Sequence, residues 1–173
     1  MAVRGVAAGN HRGGAERRGR CAVITVSDTR GPAEDKSGDR IVAGLERAGH
    51  QVVARAWVKD DVAAIRRAAR AALARPRVDA VLVTGGTGLA PRDHTPEALR
   101  PLLDLELPGF GEIFRMLSYR SVGSAAWLSR AGAGVAKGRL VVWLPGSTRA
   151  VDLAIAKLVG PELGHALRLL ARP

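Results

Sequence analysis

The stretch from Asp79 to Ala98 constrains this chain more than any other. Ala80 to Val83 is a short, β-branched apolar run closed by glycine, the pattern of a strand buried on both faces as in a parallel sheet. Gly85, Gly86 and Gly88 then crowd around Thr87. Glycine there lets the backbone turn sharply and approach a ligand with no Cβ in the way. Thr95 is placed to cap a helix, with Pro96 at its first position and Glu97 in its first turn. Between turn and helix stand Arg92 and Asp93, a cation and a carboxylate that the turn does not need for its shape. Such turns also serve purely structural ends in α/β proteins, but with the charged pair the order suits a phosphate-bearing ligand. It is not a Walker loop, since no Gly-Lys-Ser/Thr follows, nor the Gly-x-Gly-x-x-Gly dinucleotide fingerprint.

The rest of the chain repeats that alternation. Cys21 to Val26 reads as a strand with Ser27-Asp28 at its carboxyl end, and a polar loop runs on to Lys36. Ser37 is the expected cap of a helix reaching about Ala48, with Gly49 closing it. Val52 to Val58 reads as a second strand ending in Lys59-Asp60-Asp61, and Val62 to Ala74 as a helix stopped by Pro76. Asp60 and Asp61 are both placed to cap that helix, Asp61 the better candidate. Beyond the Glu97 helix, Phe110, Ile113, Phe114 and Leu117 recur at helical spacing, a stripe for core or subunit contact. Ala125 to Ala133 reads as a strand carrying Ser129-Arg130, Gly132, Gly134 and Gly138 mark a hairpin-like turn, and Leu140 to Leu144 is another buried strand. Pro145-Gly146-Ser147 follows at its end. Thr148 or Ser147 would cap a helix over about Arg149–Val159, which Gly160-Pro161 separates from a last one reaching Leu170.

This pattern predicts one three-layer α/β domain over residues 21–173: a mostly parallel sheet, helices on both faces and a short antiparallel hairpin. Ligands in such sheets bind beyond the carboxyl ends of the strands. Four of those ends carry polar or glycine chemistry here, and parallel strands would bring them to one rim.

Composition narrows the partners. The single cysteine, Cys21, excludes an internal disulfide and sits where a small buried residue fits. No apolar run is long enough for a transmembrane helix and no apolar leader opens the chain, so a cytoplasmic protein is expected. Five arginines against one glutamate in the first twenty residues, with five glycines, read as a disordered basic tail over residues 1–20. Aromatic residues are only 3% of the chain, and no basic helix carries stacking side chains, which argues against nucleic acid. The formal charge of +11 instead favours an anionic small molecule.

These motifs resemble the MoaB/Mog family of molybdenum-cofactor biosynthesis proteins, to which the gephyrin G domain also belongs. Thr84-Gly-Gly-Thr-Gly88, Pro91-Arg-Asp93, Thr95-Pro-Glu-Ala98, Pro108-Gly-Phe-Gly-Glu112, Leu128-Ser-Arg-Ala131 and Leu144-Pro-Gly-Ser147 keep the family's order and spacing. Thr25-Val-Ser-Asp28, Ser37-Gly38 and Phe114-Arg-Met-Leu-Ser118 are closest to the MoaB branch. Lys59 stands where the family often has proline, and Trp143 and Ser147 where Mog-type members tend to carry asparagine. The resemblance implies adenylylation of molybdopterin by Mg-ATP with release of pyrophosphate, or molybdopterin carriage without catalysis. It implies that Asp60 and Asp93 are catalytic and orient Mg2+ directly or through water. It also implies ligand contacts from Ser27, Asp28, Thr84, Gly85, Gly86, Thr87, Gly88, Arg92, Ser129, Pro145, Gly146 and Ser147. Further implied are a homotrimer or hexamer and contact with a molybdate-inserting enzyme.

Overall fold

The computed structural model describes residues 17–29 and 31–171. Strands β1 (Arg20–Val26), β2 (Gln51–Val58), β3 (Ala80–Thr84), β4 (Leu105–Glu106), β5 (Gly132–Ala136) and β6 (Arg139–Leu144) form one sheet in the order β2-β1-β3-β6-β5-β4. β2, β1, β3 and β6 run parallel, and β5 and β4 close one side antiparallel. Thr25 pairs with Thr84, and Thr84 with Leu144, so the parallel strands end level and their carboxyl ends share the expected rim.

Alternation in β1 sets the layers. Cys21 and Val23 point into one core with Ile41 and Leu45 of α1 (Lys36–Arg47), Phe114 of α4 (Pro108–Val122) and Val151 of α5 (Thr148–Ala154). Ala22, Ile24 and Val26 point into the other, against Ile65 and Ala69 of α2 (Val62–Leu73) and Leu99 of α3 (Thr95–Leu99). Period-two side chains on a two-sided sheet require a helix layer on each face. Burial pushes the Cys21 thiol up to about 12, which makes it inert packing.

The structure corrects several sequence expectations. Arg17–Arg20, assigned to the tail, belongs to the domain. The Arg20 guanidinium donates to both carboxylate oxygens of Asp79, at 2.9 and 3.0 Å, and Arg17 donates to the same carboxylate and to the Leu167 carbonyl. Those Arg20 bonds hold the Asp79 carboxyl below its usual range. Residues 1–16, the remainder of the expected tail, lie outside the described residues.

Asp35 rather than Ser37 caps α1, and His94 rather than Thr95 precedes α3. The expected strand over Ala125–Ala133 begins only at Gly132, because Gly123–Leu128 winds into a 3-10 helix. The hairpin turns at Lys137-Gly138, both at positive φ as a two-residue turn demands. Gly132 and Gly134 are therefore strand residues, where a Cβ would strike the Trp143 indole and Leu103. Gly160-Pro161 does not separate two helices. A π-helical segment, Ile155–Val159, carries α5 straight into α6 (Gly160–Leu170), the kind of bulge that absorbs a proline's missing N–H. The helical stripe also divides, since Phe114 is core whereas Ile113, Met116 and Tyr119 stand exposed on α4. Among the described residues, no helix is long and apolar enough to cross a membrane.

Candidate functional site

A cleft of about 390 Å3 opens at the carboxyl ends of β1, β2, β3 and β6. It lies where the chain order reverses between β1 and β3, the place this architecture leaves open for ligands. Of the residues expected there, Ser27, Asp28, Asp60, Gly85, Gly86, Thr87, Gly88, Arg92, Asp93, Ser129, Pro145 and Gly146 line it. Two do not. Thr84 is fully buried and donates its hydroxyl to the Pro145 carbonyl at 3.0 Å, tying β3 to β6. The Ser147 hydroxyl accepts from the Ala150 N–H as the cap of α5. Both are polar residues at a strand end whose hydrogen bonds are consumed by the scaffold.

The glycine turn is built by positive φ at Gly85 (102°) and Gly86 (63°). Thr95 closes it, its N–H donating to the Gly86 carbonyl at 3.0 Å and its hydroxyl to the Gly85 carbonyl at 2.8 Å. The Gly85 N–H is taken by the Leu144 carbonyl, extending the β3–β6 ladder, so it is not available to a ligand. Those of Gly86, Thr87 and Gly88 have no partner among the described residues. Unpaired backbone donors in a concave turn form an anion cradle.

Carboxylates flank that cradle. The Asp60 side chain accepts the His94 N–H at 2.9 Å, and its other oxygen lies where a Cβ on Gly86 would stand. Asp93 accepts the Ala90 N–H at 2.8 Å and lies where a Cβ on Gly88 would stand. Asp28 accepts the Asp60 N–H at 3.0 Å. Burial first, and then the Asp93 and Asp28 charges, push the Asp60 carboxyl above its usual range. Asp60 and Asp93 form no ion pair with any described residue. A bound cation would relieve that repulsion, and two carboxylates beside a phosphate cradle fit Mg2+, which commonly completes its shell with substrate oxygens and water. No group of three or more His, Cys, Asp or Glu is assembled for a metal among the described residues, so a closed protein cage is not what this site offers. Asp61 caps α2, accepting the Ala64 N–H at 2.7 Å.

Two features were not legible beforehand. The first turn of α1 faces the cleft through Ser37, with Asp35 and Thr25 also lining it. Asp35 is nearly buried and accepts from the Thr25 hydroxyl at 2.6 Å, the Gly38 N–H at 2.8 Å and Arg55 at 3.1 Å. The second is Arg130, adjacent in sequence to Ser129. Its guanidinium donates to the carbonyls of Gly88 and Asp93, at 2.8 and 2.7 Å, and pairs with Glu97. Its backbone N–H donates to Thr87, and its carbonyl accepts the Trp143 indole N–H. Arg130 thus clamps the far half of the glycine turn. Arg130→Met is expected to cost roughly 1–2 kcal/mol, from lost charge-assisted bonds with partners left partly hydrated. Faster amide exchange at Thr95, whose N–H bonds the Gly86 carbonyl, should accompany it, and Arg130→Lys should not restore protection, since ammonium lacks the planar fork.

Fold and cleft define an open α/β domain with an anion cradle at the carboxyl rim of its sheet. Residues 22–165 match the family model described as a probable molybdopterin binding domain. The chain is 54% identical over 150 residues to molybdenum cofactor biosynthesis protein B of Bacillus subtilis (strain 168), covering 86% of this chain and 88% of that one. A crystal structure of a molybdenum cofactor biosynthesis protein B superposes with a TM-score of 0.89 at 46% identity, covering 92% of this chain and all of that one. The tungsten cofactor synthesizing protein MoaB from Pyrococcus furiosus gives 0.79 at 38% identity, covering 91% and 100%. The chain belongs to this molybdopterin-binding-domain family of molybdenum cofactor biosynthesis proteins.

Proposed function

We propose that this protein transfers the adenylyl group of ATP to molybdopterin. An oxygen of the molybdopterin phosphate attacks the α-phosphorus of ATP, the α–β bond breaks, and pyrophosphate leaves. The observation carrying this reading is the convergence of Asp60 and Asp93 on either side of a glycine turn with unpaired N–H groups. Nucleotidyl transfer needs aligned phosphates and offset charge more than covalent help from protein. Gly86, Thr87 and Gly88 hold phosphate oxygens, and Arg92 at the cleft edge adds positive charge. Arg130 keeps the turn in shape. Asp60 and Asp93 would hold Mg2+, which when bound offsets charge on the departing pyrophosphate. Ser27, Ser129, Pro145 and Gly146 border the remaining volume, where the pterin fits.

The exposed apolar residues Ile113, Met116, Tyr119 and Trp127 supply a face for the homotrimer or hexamer, and a molybdate-inserting enzyme would take the product. Incubating the protein with molybdopterin, ATP and Mg2+, and following adenylylated product and pyrophosphate together, tests the assignment. Stoichiometric appearance of both supports it. Molybdopterin bound without pyrophosphate release would leave a carrier and overturn the enzyme reading.

A further inference from the structure

A second cavity, of about 560 Å3, lies between α1 and the helical stretch from the π-helical segment into α6, and it shares no lining residue with the cleft. Its size falls within the range of small-molecule sites. Arg40 and Arg47 reach it from α1, Arg168 and His165 from α6, and Arg17 from the approach to β1. Asp152 is the one carboxylate among its described lining residues. Arg40 is paired with Asp152 at 3.1 Å and Arg17 with Asp79 at 3.3 Å. Arg47 and Arg168 meet no carboxylate among the described residues.

Helix-end electrostatics account for Arg47 and Arg168 one at a time, in the last turns of α1 and α6. They do not account for arginines from two helices and the approach to β1 converging on one concavity. Arg47 turns inward over the floor, its guanidinium 3.9 Å from where a Cβ on Gly44 would stand. Ile155, Ala156 and Pro161 give the cavity an apolar side. His50 is committed elsewhere, its Nδ1 accepting the Gly19 N–H at 3.1 Å while Nε2 faces the Gly160 carbonyl at 3.2 Å. Arginine forks grip phosphate in a fixed two-point geometry, which distinguishes a binding wall from a merely charged surface.

We propose that this cavity binds a phosphate-bearing small molecule, with its phosphate held by Arg47 and Arg168 and its apolar body against Ile155, Ala156 and Pro161. The residues of the adenylyl-transfer cleft play no part in it, so the two readings stand or fall separately. Phenyl phosphate titrated into the isotope-labelled full chain at low salt provides the test, read at the backbone amides of Gly44, Ala156 and Gly164. Saturable movement of all three is expected, with at least tenfold weaker binding in R47E/R168E. Inorganic phosphate should bind at least tenfold more weakly than phenyl phosphate. If the double variant does not fold, R47Q in the same titration replaces it, with weaker binding again expected. The proposal is overturned if the three amides stay still, if neutral benzyl alcohol moves them equally, if the variant titrates as wild type, or if inorganic phosphate binds as well.

Discussion

Asp60→Asn is expected to lower adenylyl transfer by roughly a hundredfold to a thousandfold, the usual effect of deleting one preorganised charge at a reacting phosphate. The substitution is conservative in shape. Asparagine keeps an oxygen to accept the His94 N–H, so the loop after the glycine turn retains its tether. What disappears is the negative charge facing Asp93. Stability should move the other way. Burial and the Asp93 and Asp28 charges raise the folded-state pKa of Asp60 above its unfolded value. The folded protein therefore binds the proton more tightly than the unfolded chain does. Stability from this group is fully present below the unfolded pKa and is lost as pH rises through the folded one. At neutral pH the ionised side chain thus opposes folding, and Asp60→Asn should melt at the same temperature as wild type or slightly higher without Mg2+. Adding Mg2+ should raise the melting temperature of wild type and leave the variant nearly unmoved. Transfer within tenfold of wild type, or an undiminished Mg2+ shift in the variant, would remove Asp60 from the metal site.

Gly85→Ala is expected to cost about 3 kcal/mol or more, lowering the melting temperature by roughly 6–12 °C in a domain of this size. Two penalties combine. At φ 102° an L side chain is strained, by about 1–2 kcal/mol in the left-handed region. In addition the new Cβ would overlap the backbone carbonyl of Val26, a sheet residue that cannot swing aside as a side chain would. Gly49 separates the two penalties, because its φ is 83° but nothing lies within 4 Å of where a methyl would stand. Gly49→Ala should therefore cost only about 1 kcal/mol. Equal losses at the two positions would show that the Val26 contact yields. Chemical denaturation of both variants, read as the shift in midpoint at constant slope, decides between the outcomes.

The parallel strands were legible because each is a short apolar run followed at once by polar or glycine residues. That pattern follows from burial on both faces and is local. Asp61 at the start of α2 and Gly49 after α1 were legible for the same reason, since a cap acts within its own turn. The glycines of β5 misled because a glycine reads as a turn signal whether it bends the chain or makes room for Trp143, and the indole comes from the neighbouring strand. The 3-10 segment before β5 was hidden likewise, for an alanine-rich run takes its shape from what it packs against.

The amino-acid sequence by itself determined the domain class, the rim on which the cleft would lie and most residues along it, because hydrophobic period and glycine placement are short-range properties. Only tertiary structure decided that Thr84 spends its hydroxyl on the Pro145 carbonyl, that Arg130 clamps the glycine turn, and that arginines from two helices and the approach to β1 meet in a second cavity. A side chain's role in those cases depends on partners tens of residues away, and their positions exist only once the sheet has brought the strands together.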